Sequence, residues 1–463
     1  MVSENRMPSS EEGFLNEVRP LAERLIKFAM DSGKISNIKI EVSALNKQKT
    51  EIEKGEVSQV ISGATHEVGV TLYQGNRMLS FEKNGLDEKA LRDAITENVR
   101  VIHLVPENAD KLLLKEKMVY KGSTVDLDLR DKKPPDQSVL IAYAREMEAA
   151  ALLPGVKKVS MTSIETKDSQ SFVRATNGLD SHRSETQYEA VVMVIAEDKK
   201  GKMQQGYNFS VARHFKDMVE AGALGKSAAL KTVKKLSPTI PVTGTMDIVL
   251  NHDAAESFFE AVFKTIQGTA IHRDASIWKD KINQQVMSAC ITLVDDPRIP
   301  RGLASSPVDG VGLEAKEITF IKNGVLTTFD VNLEEANKLK IAPIGREKIS
   351  AKTGGMTNAR VLPGTKTPEE LIRGVDGIFI TGFNGGIVDV NNGTFSRQAD
   401  GFLIENGVVT KKAVAGFVVA CDLTKAFKEV FIANDTPKLP STTHSLAAPT
   451  TLLRAWDKIT ESE

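Results

Sequence analysis

Apolar positions near the start of the chain switch from helical spacing to strict alternation and back. Leu15, Val18, Leu21, Leu25 and Phe28 recur at helical intervals within residues 11–31, which predicts a helix that Gly33 stops. Four strand-like runs follow, Ile38–Leu45, Glu51–Ile61, His66–Tyr73 and Arg77–Glu82. Alternation is plain in Val57, Gln59 and Ile61 and again in Val68, Val70 and Leu72, and Gln74-Gly75-Asn76 supplies a hairpin turn before the last run. Leu91, Ile95 and Val99 then share one face of a helix from about Asp87 to His103.

The same order returns after a charged connector, residues 105–136, that contains Pro134-Pro135. Gln137–Leu153 has helical spacing and ends at Pro154-Gly155. Strand-like runs follow at Val156–Thr166, Gln170–Thr176, Glu185–Ala196 and Lys202–Tyr207, and Phe215–Leu236 is helical again. Two copies of helix, four strands and helix, at about 11–104 and 137–236, imply an internal duplication. Ser237-Pro238-Thr239-Ile240-Pro241 breaks both regular structures and marks a boundary. Beyond it come a short strand at Met246–Leu250, a helix at His252–Gln267, and glycine-rich sequence with hairpin punctuation at Asn323-Gly324 and Glu405-Asn406-Gly407. The expected fold class is α+β, with a duplicated N-terminal region over 1–237 and a mainly antiparallel β domain with a few helices over 238–463.

Charge narrows the function. The 60 lysines and arginines nearly balance the 61 aspartates and glutamates, so no net basic field recruits nucleic acid through its phosphates. Cys290 and Cys421 lie in apolar runs and fit small buried hydrophobes better than a disulfide framework. Met1–Glu17 is polar, without the apolar core of a signal peptide, and no window approaches the roughly 18 apolar residues of a membrane span. A soluble, cytoplasmic protein is expected.

Five stretches bear on chemistry. Glu256-Ser257-Phe258-Phe259-Glu260-Ala261-Val262-Phe263-Lys264-Thr265-Ile266-Gln267-Gly268 is the first. Ile291-Thr292-Leu293-Val294-Asp295-Asp296-Pro297, then Thr353-Gly354-Gly355-Met356-Thr357-Asn358 running on to Pro363-Gly364, follow it in order. Thr381-Gly382-Phe383-Asn384-Gly385-Gly386-Ile387-Val388-Asp389 and Phe402-Leu403-Ile404-Glu405-Asn406-Gly407 complete the set. Together they resemble the TldD/PmbA family, the so-called modulators of DNA gyrase. In catalytic members the first stretch carries a His-Glu-x-x-x-His zinc motif, and the resemblance places its histidines on Phe259 and Lys264 and its glutamate on Glu260. A phenyl ring has no lone pair, and an ammonium repels a dication. The family's third ligand, a cysteine, falls near Leu439. The resemblance therefore implies a PmbA/TldE-like branch without its own metal site: Glu260 is then a vestige, a salt-bridge partner or a hydrogen bonder to substrate backbone, and zinc is expected in a partner, not in this chain.

Spacing adds an independent argument. Side chains five residues apart on a regular helix stand ~140° out of line, so two such ligands share a metal only if the helix is distorted or ends there. Here Phe258, Phe259, Val262, Phe263 and Ile266 form a broad apolar face suited to core packing. His252, His272 and His444 are the remaining C-terminal histidines; His252 and Asp253 fit a helix start, and His272 a solvated loop. The glycine-rich blocks match neither phosphate-cradling template and suit tight turns or close backbone approach. Since substrates of the family are thought to be unfolded peptides, Asn358, Asn384, Gly385, Gly386 and Asp389 are candidate contacts for a peptide added as a strand, although each also fits a turn-holding role. No Gly-x-Ser-x-Gly elbow supports a serine hydrolase. The expected protein is a subunit that presents unfolded peptide to a zinc-bearing TldD-like paralogue. The alternatives are a stand-alone homodimeric binding regulator and, last, a metallopeptidase with unorthodox ligands.

Overall fold

A computed structural model describes residues 11–122, 125–347, 355–437 and 446–461, with side chains as far as Arg454 in the last stretch. Thr353-Gly354, Leu439 and His444, like the first ten residues, lie outside the described residues.

Helix α1 (Glu11–Met30) opens the fold, followed by β1 (Asn37–Glu53), β2 (Glu56–Gln74), β3 (Arg77–Asn84) and α2 (Glu88–Val101). The second copy is α3 (Gln137–Ala151), β4 (Val156–Ala175), β5 (Asp180–Glu197), β6 (Met203–Ala212) and α4 (Ala221–Val233). Each copy thus has three long strands where the alternation predicts four shorter ones. The difference in the first copy lies at Lys54-Gly55, inside the expected Glu51–Ile61 run. Both residues have positive φ (53° and 79°), as a type I′ hairpin turn requires, so β1 reverses there into β2. Glu148 of α3 holds the turn: its buried carboxylate accepts the amides of Lys54 at 2.9 Å and Gly55 at 2.7 Å. The expected final helix is also shorter, because Phe215–Asp217 forms only one 3-10 turn ahead of α4.

All six strands join one antiparallel sheet in the order β3-β2-β1-β4-β5-β6. The order mirrors itself about the seam, where β1 pairs β4 antiparallel. Each copy lays its helices on its own half of the sheet. Phe14, Val18, Leu21 and Leu25 of α1 and Leu91 and Ile95 of α2 cover Ile38, Ile40, Val68 and Val70. Leu140, Ala144 and Met147 of α3 and Leu224 of α4 cover Ile164, Tyr188, Val192 and Val194. Each fully buried aliphatic or aromatic side chain contributes about 1.5–3 kcal/mol of transfer free energy.

The C-terminal region begins with β7 (Gly244–Leu250), α5 (His252–Ile266), α6 (Gly268–His272) and β8 (Leu293–Asp295). Next come β9 (Ile318–Lys322), β10 (Val325–Leu326), α7 (Leu333–Leu339), β11 (Ala359–Val361) and α8 (Pro368–Ile372). Three longer strands, β12 (Gly377–Asp389), β13 (Thr394–Glu405) and β14 (Val408–Asp422), precede α9 (Leu423–Ala426), β15 (Val430–Ile432), β16 (Leu446–Ala447) and β17 (Thr451–Glu461). Strands β14-β13-β12-β7-β17 follow one another, and a further β14–β17 pairing closes them into a five-stranded barrel with β15 beside β17. A second sheet runs β10-β9-β8-β11-β16. Pairing is antiparallel except between β7 and β12 and between β11 and β16. The Asn323-Gly324 and Asn406-Gly407 turns form as expected, all four residues at positive φ.

No helix among the described residues is long and apolar enough to cross a membrane. Of the two cysteines, Cys421 is half-buried and packs against the C-terminal core, whereas Cys290 departs from expectation and is exposed. Cys290 instead lies at the surface with Sγ 3.2 Å from the Val430 carbonyl.

Candidate functional site

Helix α5 starts where β7 ends. Asn251 caps it, its side chain accepting the Ala254 amide at 2.9 Å; His252 and Asp253, expected to cap, are both exposed in the first turn. The helix stays regular to Ile266, and its apolar face fits between barrel and second sheet. Phe258 meets Phe427 and Phe395 of β13 at ring distances of 5.5 and 6.0 Å, and Phe263 meets Phe320 of β9 at 5.6 Å. Phe259, in contact with Phe258 at 5.4 Å, is 0% exposed. Lys264 is exposed. On this undistorted helix the two positions therefore point apart, one into the core and one to solvent, as a five-residue separation dictates. Glu260 is half-buried, and its side chain makes no hydrogen bond or ion pair among the described residues. A phenyl ring, an ammonium and one carboxylate do not fit a zinc ion, and no group of three metal-binding side chains occurs among the described residues.

His252 belongs to another cluster. Its Nε2 lies 2.9 Å from Asp435, whose carboxylate also accepts the Thr450 amide at 2.9 Å and hydroxyl at 2.7 Å. Burial works to raise Asp435, but the Thr450 and His252 hydrogen bonds outweigh it and hold the carboxyl below its ordinary range. The cluster ties the start of α5 to the approach to β17. His272 is exposed at the end of α6.

Beside α5 lies an open strand edge. Strand β12 pairs with β7 only over Gly377–Ile380, since β7 ends at Leu250 and the chain turns into α5. From Thr381 to Asp389 the β7-side edge of β12 is free of strand partners among the described residues. Asn384, Gly385, Gly386 and Ile387 are exposed there. A bulge sits at Gly385-Gly386, with φ of 55° and 86°, and a side chain on Gly386 would run into the Ser396 carbonyl. Asn384 donates to Asp400 at 2.9 Å, and Arg397 donates to the Gly385 carbonyl at 2.9 Å. Asp389 closes the β12–β13 turn, accepting the amides of Asn391 and Asn392, and these hydrogen bonds lower its pKa.

Asn358 stands elsewhere. It is 0% exposed, donates to the Asp296 carbonyl and the Ser305 hydroxyl, both at 2.8 Å, and accepts the Ala304 amide. Its neighbour Asp295 is equally buried and accepts the Thr357 hydroxyl at 2.6 Å and the Asn358 amide at 2.8 Å. Arg346, also fully buried, completes the knot with Nε 3.2 Å from Asp295. That contact is an ion pair in poor hydrogen-bond alignment, since Nε finds no aligned acceptor; the guanidinium donates instead to the Asp295 and Lys316 carbonyls at 2.9 Å. Asp295 and Asn358, from two of the five stretches singled out in sequence, thus meet as one polar core. Arg346 carries no sequence pattern that could have revealed it.

The loop leaving this knot buries Asp309, which accepts the amides of Val311, Leu313 and Glu347. Burial nonetheless pushes its carboxyl up from 3.8 to about 6. The folded state therefore holds a proton on Asp309 that the unfolded chain has already released. Stability from this group is greatest below pH 3.8, falls as pH rises towards 6, and stays reduced above it. Asp309→Asn is expected to remove about 2–3 kcal/mol of that fall, seen as the wild-type-minus-variant difference in urea unfolding free energy between pH 4 and 7; a pH-independent difference would refute it.

A cavity of about 800 Å³ lies apart from α5 and β12, between the six-stranded sheet and C-terminal loops, lined by Lys39, Glu41, Tyr73, Leu333 and Glu347 among others. Burial is the main influence raising Glu41 and Glu347.

Comparison with known proteins gives consistent matches. The PmbA/TldA metallopeptidase C-terminal domain matches residues 243–457, and the PmbA/TldA metallopeptidase central domain matches residues 130–236. The chain is 24% identical over 425 residues to Metalloprotease PmbA of Escherichia coli O157:H7, covering 90% of this chain and 92% of that one. It is 26% identical over 270 residues to a Metalloprotease TldD homolog of Haemophilus influenzae, 55% of this chain and 56% of that one. Its fold matches a proposed modulator of DNA gyrase from Bacteroides thetaiotaomicron with a TM-score of 0.87 at 21% identity, over 98% of this chain and 99% of that one. TldE from Thermococcus kodakarensis matches with a TM-score of 0.78 at 17% identity, over 95% and 100%.

Proposed function

This chain belongs to the PmbA/TldD metallopeptidase family, and on that footing we propose that it is a non-catalytic subunit that binds unfolded peptide for cleavage by a zinc-bearing relative. The observation that carries the proposal is the seat of Phe259: the position the family gives to a histidine holds a fully buried ring packed on Phe258. A metal there would require emptying part of the core and turning Lys264 through much of a helical turn. Peptide contact is assigned to the free edge of β12, where main-chain groups at Asn384, Gly385 and Gly386 bind an extended chain with little sequence demand. Asp389 and Asn358 act from behind, one fixing the hairpin turn and the other the loop at Asp296–Ser305. Relatives named for both PmbA and TldD support a two-subunit arrangement.

Zinc content and cleavage of an unfolded peptide, measured on the purified chain alone and mixed with a relative that keeps His-Glu-x-x-x-His, test the proposal. The expected result is no stoichiometric zinc and no cleavage alone, with cleavage appearing in the mixture. Glu260→Gln is expected to leave the mixture's kcat/KM within about twofold. Stoichiometric zinc with cleavage by this chain alone would overturn the reading, as would a loss on Glu260→Gln as complete as mutating the partner's own glutamate.

A further inference from the structure

The face of the six-stranded sheet turned away from its helices forms the floor of the 800 Å³ cavity. Alternate strand residues point to opposite faces, so with Ile40, Val68 and Val70 under the helices, Lys39, Glu41, Glu67 and Gly69 face the cavity. Register sets out the floor. Glu41 of β1 lies opposite Gly69 of β2, and Gly69 lies opposite Glu82 of β3. Neighbouring strands stand about 4.8 Å apart, so Glu41 and Glu82 flank a position without a side chain from backbones ~10 Å apart. Glu67 lies two residues along β2 on the same face.

The charges there do not cancel. Seven carboxylates and three cations line the cavity. Arg183 is paired with Glu185, and Lys111 lies 3.7 Å from Glu334, which leaves Lys39. Lys39 stands 3.8 Å from Glu41 and donates to the Gly310 carbonyl at 3.5 Å. The Glu67 and Glu82 side chains make no hydrogen bond or ion pair among the described residues. Burial raises the Glu41 carboxyl, Lys39 opposes the rise, and repulsion from Glu67 and Glu82 adds to it. Glu347 enters from the C-terminal side, and Tyr73, Met78, Leu112, Val311 and Leu333 supply apolar walls.

We infer that this cavity binds an aliphatic polycation, its ammonium groups set against Glu41, Glu67, Glu82 and Glu347 and its methylenes against the apolar walls. No group of three metal-binding side chains occurs among the described residues, so the carboxylates are spread out and do not converge on one metal ion. Spread carboxylates are matched by a ligand whose positive charges are themselves spaced along an apolar chain. A free polyamine and the lysine side chains of a basic peptide share that chemistry. The cavity uses neither α5 nor β12, so its failure would leave the subunit proposal standing.

Calorimetric titration of the full chain with spermidine, in about 50 mM salt to limit screening, tests the inference. Saturable one-to-one binding is expected. Glu41→Gln with Glu82→Gln should weaken it at least ~30-fold. Gly69→Leu keeps every carboxylate but fills the floor between them, and should weaken it at least ~10-fold. A Cβ at Gly69 meets nothing nearer than Glu41 Cβ at 3.7 Å, an ordinary contact, so this variant keeps the test decisive even where loss of Glu41 disturbs the sheet. Titration with an acetylated lysine-rich peptide separates the two sources: peptide binding without spermidine binding, lost in the same variants, assigns the ammonium groups to lysine side chains. Binding of neither ligand, wild-type affinity in Gly69→Leu, or displacement of spermidine by an equal concentration of Mg²⁺ overturns the assignment.

Discussion

Asp295→Ala is expected to lower unfolding free energy by about 3–5 kcal/mol, the largest single-residue loss in the C-terminal region. Asp295 and Arg346 are both fully buried, so removing the carboxylate strands a guanidinium away from water. It also takes the acceptor from the Thr357 hydroxyl and from the Thr357 and Asn358 amides. Unpaired buried donors carry their own desolvation cost of about 1–3 kcal/mol each, partly relieved by local rearrangement. Replacing both members with apolar residues of similar volume, Asp295→Leu with Arg346→Met, should recover much of the loss, because the pair itself contributes far less than its breakage costs. Urea unfolding of the two variants is the measurement. A loss below about 1 kcal/mol for Asp295→Ala would show that water reaches the knot and solvates the stranded guanidinium.

Restoring the family's histidines is expected to fail by a wide margin. Phe259→His puts a smaller, polar ring into a seat walled by aromatic and aliphatic side chains, costing about 3 kcal/mol or more from lost packing and an unpaired ring nitrogen. Adding Lys264→His changes an exposed position and should cost little. The double variant should still bind no stoichiometric zinc, because the two imidazoles point ~140° apart on a helix with no distortion to bring them together. Calorimetric titration with zinc and the shift in unfolding midpoint check the two halves of this prediction. Tight one-to-one zinc binding would show that α5 can rearrange, and would return a metal to the centre of any account of this chain.

How much of this was legible in sequence depends on the range of the interaction. Helices α1, α2, α3 and α5 announce themselves through near-neighbour spacing, and Asn-Gly pairs fix two hairpins, since each needs only local information. The Lys54-Gly55 turn was hidden inside the expected Glu51–Ile61 run; glycine at position 55 was a local clue, and the turn's support, Glu148, comes from another helix. The Phe259 and Lys264 substitutions were visible outright, as was the apolar face that buries one of them. Asn358 was singled out for peptide contact, yet its surroundings are assembled from Asp296, Ala304 and Ser305, more than fifty residues away. Arg346 had no local pattern, and only the folded chain shows what it holds. Asn384, Gly385 and Gly386 lie at an open strand edge because β7 stops short, a fact about a strand 130 residues earlier.

The palindromic sheet has a kinetic consequence. Hairpins β1–β2 and β4–β5 link near neighbours and can close within microseconds, whereas the seam joins partners more than 100 residues apart, from Ile52 with Thr162 to Lys39 with Ala175. Its loop-closure entropy must be overcome before any seam contact compensates. The two halves should therefore gain amide protection early in refolding, with β1 and β4 slowest to shield their shared side, so the seam that unites the sheet forms after the hairpins it joins.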